Sequence, residues 1–257
     1  MGAAKSRLLK LQKTQPHCIY CGGIVPTTSC DHCPPVSIFE GADRPRGLEF
    51  GACYDCHQGT RELDLIAAMA SRIFPDPTTD IGKADVRKHI HGFVNNHPDL
   101  AAMFITGDEP ALDWQGRQAY PIDVHSQPRL HRALNAFSAR IGLALFRELT
   151  GGAVPRDSVA IARWYSNFEL ENESTIESLL HSLGAPRTLA MGRKNVLEQF
   201  RYWGGAATDD SSQFVSFAAF RESFGTLTII RTADGPEVDL EDTQNAFRPG
   251  FLNGFKV

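Results

Sequence analysis

The sequence predicts an α+β protein: a small N-terminal module of short strands and one helix, stapled by metal, then a mainly helical region with a small antiparallel sheet near the C-terminus. Three observations predict this. All six cysteines fall between residues 18 and 56, as three Cys-x-x-Cys pairs. The segment around them is broken by glycine and proline, which suits short strands and turns. Apolar residues then recur at three- and four-residue spacing, until alternation takes over after about residue 195.

Residues 1–16 carry Lys5, Arg7, Lys10 and Lys13 and no acid, a basic arm that is either a short helix or loose, and able to touch phosphate. In residues 17–57, Gly22-Gly23, Pro34-Pro35, Gly41, Pro45 and Gly47 leave the cysteines to organise the chain. Leu63, Ile66, Ala67, Ala70 and Ile73 then mark an amphipathic helix, N-capped by Thr60 and ending before Pro75. The run from Phe74 to Asp80 contains two prolines and reads as a linker. The expected divisions are thus an arm over 1–16, a module over 17–75 and a C-terminal region over 76–257.

Further helices are expected over 83–95, 98–104, 128–150, 158–167 and 174–182. A loop-rich stretch is expected before residue 128. The 128–150 helix has the clearest signals, with Pro128 at its start, Gly151-Gly152 at its end and Leu130, Leu134, Phe137, Ile141, Leu145 and Leu149 along one side. Alternating Phe214, Ser216, Ala218 and Phe220, with the β-branched run at 226–230, give two or three strands within 195–232. The tail from Asp234 shows no clear period.

Charge and composition narrow the function. With 42% hydrophobic and 22% charged residues and a net charge of −4, the chain is ordinary for a globular protein and lacks the basic excess of one that coats nucleic acid. No stretch reaches the roughly 18 apolar residues of a membrane span, and the cations among residues 5–13 interrupt a signal-peptide core. A cytoplasmic protein without membrane contact is therefore expected. The start Met1-Gly2-Ala3-Ala4-Lys5-Ser6 matches an N-myristoylation pattern short enough to recur by chance. In such a setting, clustered Cys-x-x-Cys pairs point to thiolates around zinc more than to disulfides, and the βαβ context of a redox dithiol is missing.

The chemistry-bearing residues sit among the cysteines: Cys18-Ile-Tyr-Cys21, then Cys30-Asp31-His32-Cys33-Pro34-Pro35, then Cys53-Tyr-Asp-Cys56-His57 and Arg61. Phosphodiester hydrolysis needs a base to activate water and a hard cation to stabilise the developing charge. An imidazole suits the first task, and a carboxylate with one imidazole leaves a cation open positions for water and phosphate.

In this order and approximate spacing, residues 17–75 resemble the HNH endonuclease family with its ββα-metal fold, in the form with two flanking Cys-x-x-Cys knuckles. The resemblance implies a structural zinc on Cys18, Cys21, Cys53 and Cys56. It implies His32 as general base, Asp31 and His57 as ligands of a catalytic Mg²⁺ or Mn²⁺, and double-stranded DNA as substrate. Arg61, one turn after His57, is placed to meet phosphate. Residues 33–56 hold no Asn, where that family often has one.

Other readings stay open. Cys18, Cys21, Cys30 and Cys33 have an acceptable spacing for the zinc instead, and a second zinc on Cys30, Cys33 and histidines is conceivable. The rival function is a non-catalytic zinc-binding module that recruits nucleic acid or protein. The C-terminal region is of unknown role, with target choice, a protein partner or homo-oligomer formation as options. His17 reads as solvated, and His89, His91, His125, His131 and His181 as surface or satisfied core residues. Arg129, Arg140 and Arg147 share one helical face and read as a solvated arginine face, or alternatively a phosphate track. Trp164, Tyr165, Tyr202, Trp203 and the phenylalanines at 214, 217, 220 and 224 read as core.

Overall fold

Five antiparallel strands build the main sheet, in the order β11-β5-β10-β9-β8, with β5 spanning Val159–Ser166, β8 Phe200–Ala206, β9 Gln213–Phe220, β10 Phe224–Arg231 and β11 Ala246–Phe247. The computed structural model describes residues 3–74, 77–104, 111–112, 118–119, 127–172, 174–192, 194–207, 212–232 and 245–257. Alternation sorts the side chains as a sheet requires: Phe214, Ala218 and Phe220 of β9 face one cluster, Phe217 and Ala219 the other. The aromatics are core, as their pattern predicts.

Against the first face lies α6 (Pro128–Thr150), whose start at Pro128 and left-handed Gly151 terminus match the sequence signals. It comes so close to β10 that a side chain at Gly142 would run into Thr228, whose hydroxyl donates to the Ser138 carbonyl at 2.8 Å. The other side of α6 packs on α3 (Arg61–Ala70) of the N-terminal module. Caught between sheet and module, every residue from Ala133 to Leu145 is buried. One apolar cluster runs from Cys18 through α3 and α6 to Leu252. The opposite face of the sheet is covered by α8 (Ser174–Leu183), preceded by α7 (Asn167–Asn172).

The N-terminal module comprises α1 (Ala3–Thr14), the antiparallel hairpin β1 (Ser29–His32) and β2 (Glu49–Ala52), α2 (Tyr54–Gly59) and α3. The basic arm is thus a helix. After the linker come α4 (Asp80–Asn96), capped by the Thr79 hydroxyl, and the short α5 (Pro98–Ala101). Two-residue ladders pair β3 (Ala111–Leu112) with β4 (Gln118–Ala119) and β6 (Ala190–Met191) with β7 (Lys194–Asn195). Among the described residues no helix is long and apolar enough to cross a membrane.

Two expectations are corrected. Where a helix was expected over 158–167, Val159–Ser166 form strand β5: their β-branched and aromatic residues pair with β10 and β11 on both sides, and this pairing overrides the helical spacing. Thr60 stands at the N-cap position of α3 as expected but its side chain does not cap: it joins α2 to α3 with its hydroxyl donated back to the His57 carbonyl. The tail, aperiodic in sequence, seats Leu252 in the core and sets Phe247, Phe251 and Phe255 in successive tilted and edge-on ring contacts. His125 lies outside the described residues, as do Pro75 and Asp76 of the linker.

Candidate functional site

Four thiols meet where the hairpin enters the helix. Cys18 and Cys21 flank a single 3₁₀ turn closed by left-handed Gly22, while Cys53 and Cys56 open α2. Their sulfurs lie within 4.8 Å of one another and are buried, with Cys21 at 3.6 Å from Cys53 and 3.3 Å from Cys56. All four are free thiols. A tetrahedral ion with bonds of about 2.3 Å to sulfur would set edges of about 3.8 Å, so this buried group could hold a structural metal ion. Bonds from Cys21 and Cys56 pull the Cys18 thiol down to about 2, and bonding to Cys18 pushes Cys21 up to about 12. The alternative ligand set drops out on geometry: Cys33 is buried apart and pushed up to about 12 by its burial, and Cys30 stands with His32 and Glu49.

Asp31 points inward from β1. Its side chain is 3% exposed; Oδ2 accepts from the Tyr20 hydroxyl at 2.5 Å, and Nη2 of Arg140 lies 2.9 Å from both oxygens. The same guanidinium contacts Asp64 of α3 through Nη1 and reaches the His32 carbonyl at 3.3 Å. Burial works to raise Asp31, but Arg140, the Tyr20 hydroxyl and His57 hold its carboxyl below the ordinary range. Asp64 is pushed up to about 7, burial outweighing the pull of Arg140.

The arginine face of α6 is therefore corrected at its centre. Arg129 and Arg147 sit near the helix ends and donate to the Val257, Thr14 and Gly151 carbonyls at the surface, whereas Arg140, at the same angle, is fully buried. Helical angle alone does not set exposure; position along an axis covered on every side does.

Of the expected trio, the structure brings two together. His57, on the first turns of α2, holds Nε2 3.9 Å from Oδ1 of Asp31 with its side chain 40% exposed. His32 ends β1 and, by alternation, turns to the other face of the hairpin, where Nε2 lies 3.9 Å from Oε1 of Glu49. Among the described residues the clusters of three or more metal-ligating side chains are the four cysteines and Cys30–His32–Glu49; Asp31, His32 and His57 do not form one. Burial and the nearby Arg44 charge lower the His32 pKa below 6.5, leaving a neutral imidazole at neutral pH.

On the His32 face, Arg7 and Lys10 of α1 and Arg46 line a groove of about 670 Å³ that also borders Glu49. Arg61 is exposed at the start of α3, beside Tyr54 and the C-terminal residues 253–256. His17, His91 and His181 are exposed, and His131 accepts from the Trp164 indole at 3.0 Å, as expected of residues outside a site. Sequence reasoning missed Tyr20 and Asp64, assigned Glu49 no role, and read Arg140 as part of a solvated face or phosphate track, not as the buried partner of Asp31. Glu49 comes opposite His32 only through the register of β1 against β2, which neither segment shows alone, and the burial of Arg140 carries no local signal.

Comparison with known proteins returns no match: no family model, no curated protein and no solved structure is significantly similar to this chain.

Proposed function

We propose that the protein is a divalent-metal-dependent endonuclease of the HNH type that hydrolyses phosphodiester bonds of DNA, with zinc in the four-cysteine site. The observation that carries this reading is the approach of His57 Nε2 to Asp31 Oδ1, 3.9 Å apart, where a hairpin runs into a helix across a thiol staple. A carboxylate oxygen has two acceptor positions, and Oδ1 accepts from Nη2 of Arg140, so it retains one toward His57. That pair suits Mg²⁺ or Mn²⁺ with its remaining positions left to water and phosphate. Such an ion supplies charge stabilisation to the phosphate and the leaving oxygen.

His32 is the general base in this scheme, with the Glu49 carboxylate 3.9 Å from its Nε2. His32 lies on the hairpin face opposite the Asp31–His57 pair, so in this scheme the substrate wraps the strand end to bring its water within reach of the imidazole. Substrate then crosses the end of the hairpin, with its backbone phosphates toward Arg7, Lys10, Arg46 and Arg61.

One observation favours the rival, a non-catalytic zinc module that recruits nucleic acid: the charge of Asp31 is already answered by Arg140. Nicking of supercoiled plasmid by the holoprotein in Mg²⁺ or Mn²⁺ separates the two. The nuclease reading expects His32→Ala to lose about 10²–10⁴-fold in rate with zinc content and fold retained. Undiminished nicking by that variant refutes the base, and wild-type protein that binds DNA without cutting it establishes the rival.

A further inference from the structure

The face of the hairpin opposite Asp31 carries a second group of metal-ligating side chains. Cys30 and His32, two apart on β1, share that face, and the register sets Glu49 of β2 directly across from His32. Their ligand atoms lie within 4.8 Å of one another. The separation of His32 Nε2 and Glu49 Oε1, 3.9 Å, is too long for a hydrogen bond and about half an ångström wider than the edge of about 3.3 Å that a tetrahedral site with bonds of about 2 Å sets, a gap that a small side-chain rotation closes. Cys30 faces Gly51 across the ladder, so no side chain from the partner strand competes for the space beside its sulfur.

We propose that Cys30, His32 and Glu49 form a second metal site, distinct from the four-cysteine staple, that takes a thiophilic divalent ion such as Zn²⁺ and leaves its fourth position to water. One sulfur, one nitrogen and one carboxylate oxygen are the three-ligand pattern of an open zinc site, and the thiolate selects zinc over Mg²⁺. Binding releases the Cys30 thiol proton to solvent. All three groups are partly exposed, so an ion can enter and leave without unfolding the hairpin, unlike one held by the buried staple. Resting on the nuclease reading alone is the consequence that filling this site takes the His32 lone pair, so zinc beyond the first equivalent switches the base off.

Zinc titration of the full-length protein, loaded with one equivalent, tests the site. A second equivalent is expected to bind, and Cys30→Ser or Glu49→Gln should each weaken it by more than about tenfold while the first equivalent and the melting temperature stay unchanged. With Co²⁺ in the second site, a near-ultraviolet thiolate charge-transfer band should appear and vanish in Cys30→Ser, while Cys33→Ser keeps it. Saturation at one equivalent under excess zinc overturns the proposal, as does a second equivalent bound equally well by both variants. The readout is the metal itself, so a failure to cleave DNA would sink the nuclease reading and leave this one standing.

Discussion

Nη2 of Arg140 closes on both carboxylate oxygens of Asp31 at 2.9 Å, joining the middle of the longest helix to the hairpin 109 residues earlier. With Asp64 on its other nitrogen, this buried arginine ties α6, α3 and β1 at one point. Arg140→Met leaves the buried Asp31 and the partly buried Asp64 without their counter-charge, so a loss of about 3–5 kcal/mol is expected in chemical denaturation. A loss below about 1 kcal/mol would mean that the triad does not hold the hairpin to the helix.

Tyr20 completes the same network. Burial, with the neighbouring Asp31 charge, raises its pKa well above 10, so the hydroxyl stays protonated and donates to Asp31. Tyr20→Phe removes a hydrogen bond to a charged, buried acceptor and should cost about 1.5–3 kcal/mol. The check is the urea midpoint at constant slope.

Metal content follows the ligand geometry. Cys53→Ser should release the tightly held ion and open the hairpin to protease, because a structural zinc contributes about 10–16 kcal/mol of apparent binding energy to so small a module. Cys33→Ser should keep it. Elemental analysis of the two purified variants reads the difference directly, and equal retention would reassign the ligands.

The attachment of α4 to the turn that follows α3 is pH-dependent in a defined direction. Burial works to raise Asp85, but the Gly41 amide and Arg72 hold it below its ordinary 3.8. A carboxyl depressed by folding contributes stability above its unfolded value and loses it as pH falls through the folded one. Asp85→Asn should therefore cost about 2–3 kcal/mol at pH 7, and the gap to wild type should close below about pH 4. A gap that is constant from pH 7 to pH 3 would remove Arg72–Asp85 as its source.

Nucleic-acid affinity should depend on the groove beside Glu49. Replacing Arg7, Lys10 and Arg46 one at a time by alanine should weaken DNA binding at low salt and lower the slope of log K against log salt by about 0.9 for each phosphate that the variant no longer neutralises. Fluorescence anisotropy across a salt series measures it. Unchanged slopes in all three variants would exclude this groove as the backbone track.

Local information was legible in the sequence where a single segment decides the outcome. The spacing of Cys18, Cys21, Cys53 and Cys56 and the resemblance built on it identified the four thiols that meet. Pro128, Gly151 and the leucine stripe between them bounded α6 to the residue, because start, stop and face are all written within one helix. Residues 159–166 were not legible: their helical and strand patterns compete, and only partners 58 or more residues away choose between them.

The sequence by itself determined that a thiol-stapled hairpin and helix would present Asp31, His32 and His57 close together in the chain. Only the tertiary structure decided which of them meet. Strand alternation sends Asp31 inward and His32 outward, and packing then gives the first to Arg140 and Tyr20 and the second to Cys30 and Glu49. The reason is physical: periodicity fixes the angle at which a side chain leaves its element, but burial and charge pairing depend on what the rest of the chain lays against that side.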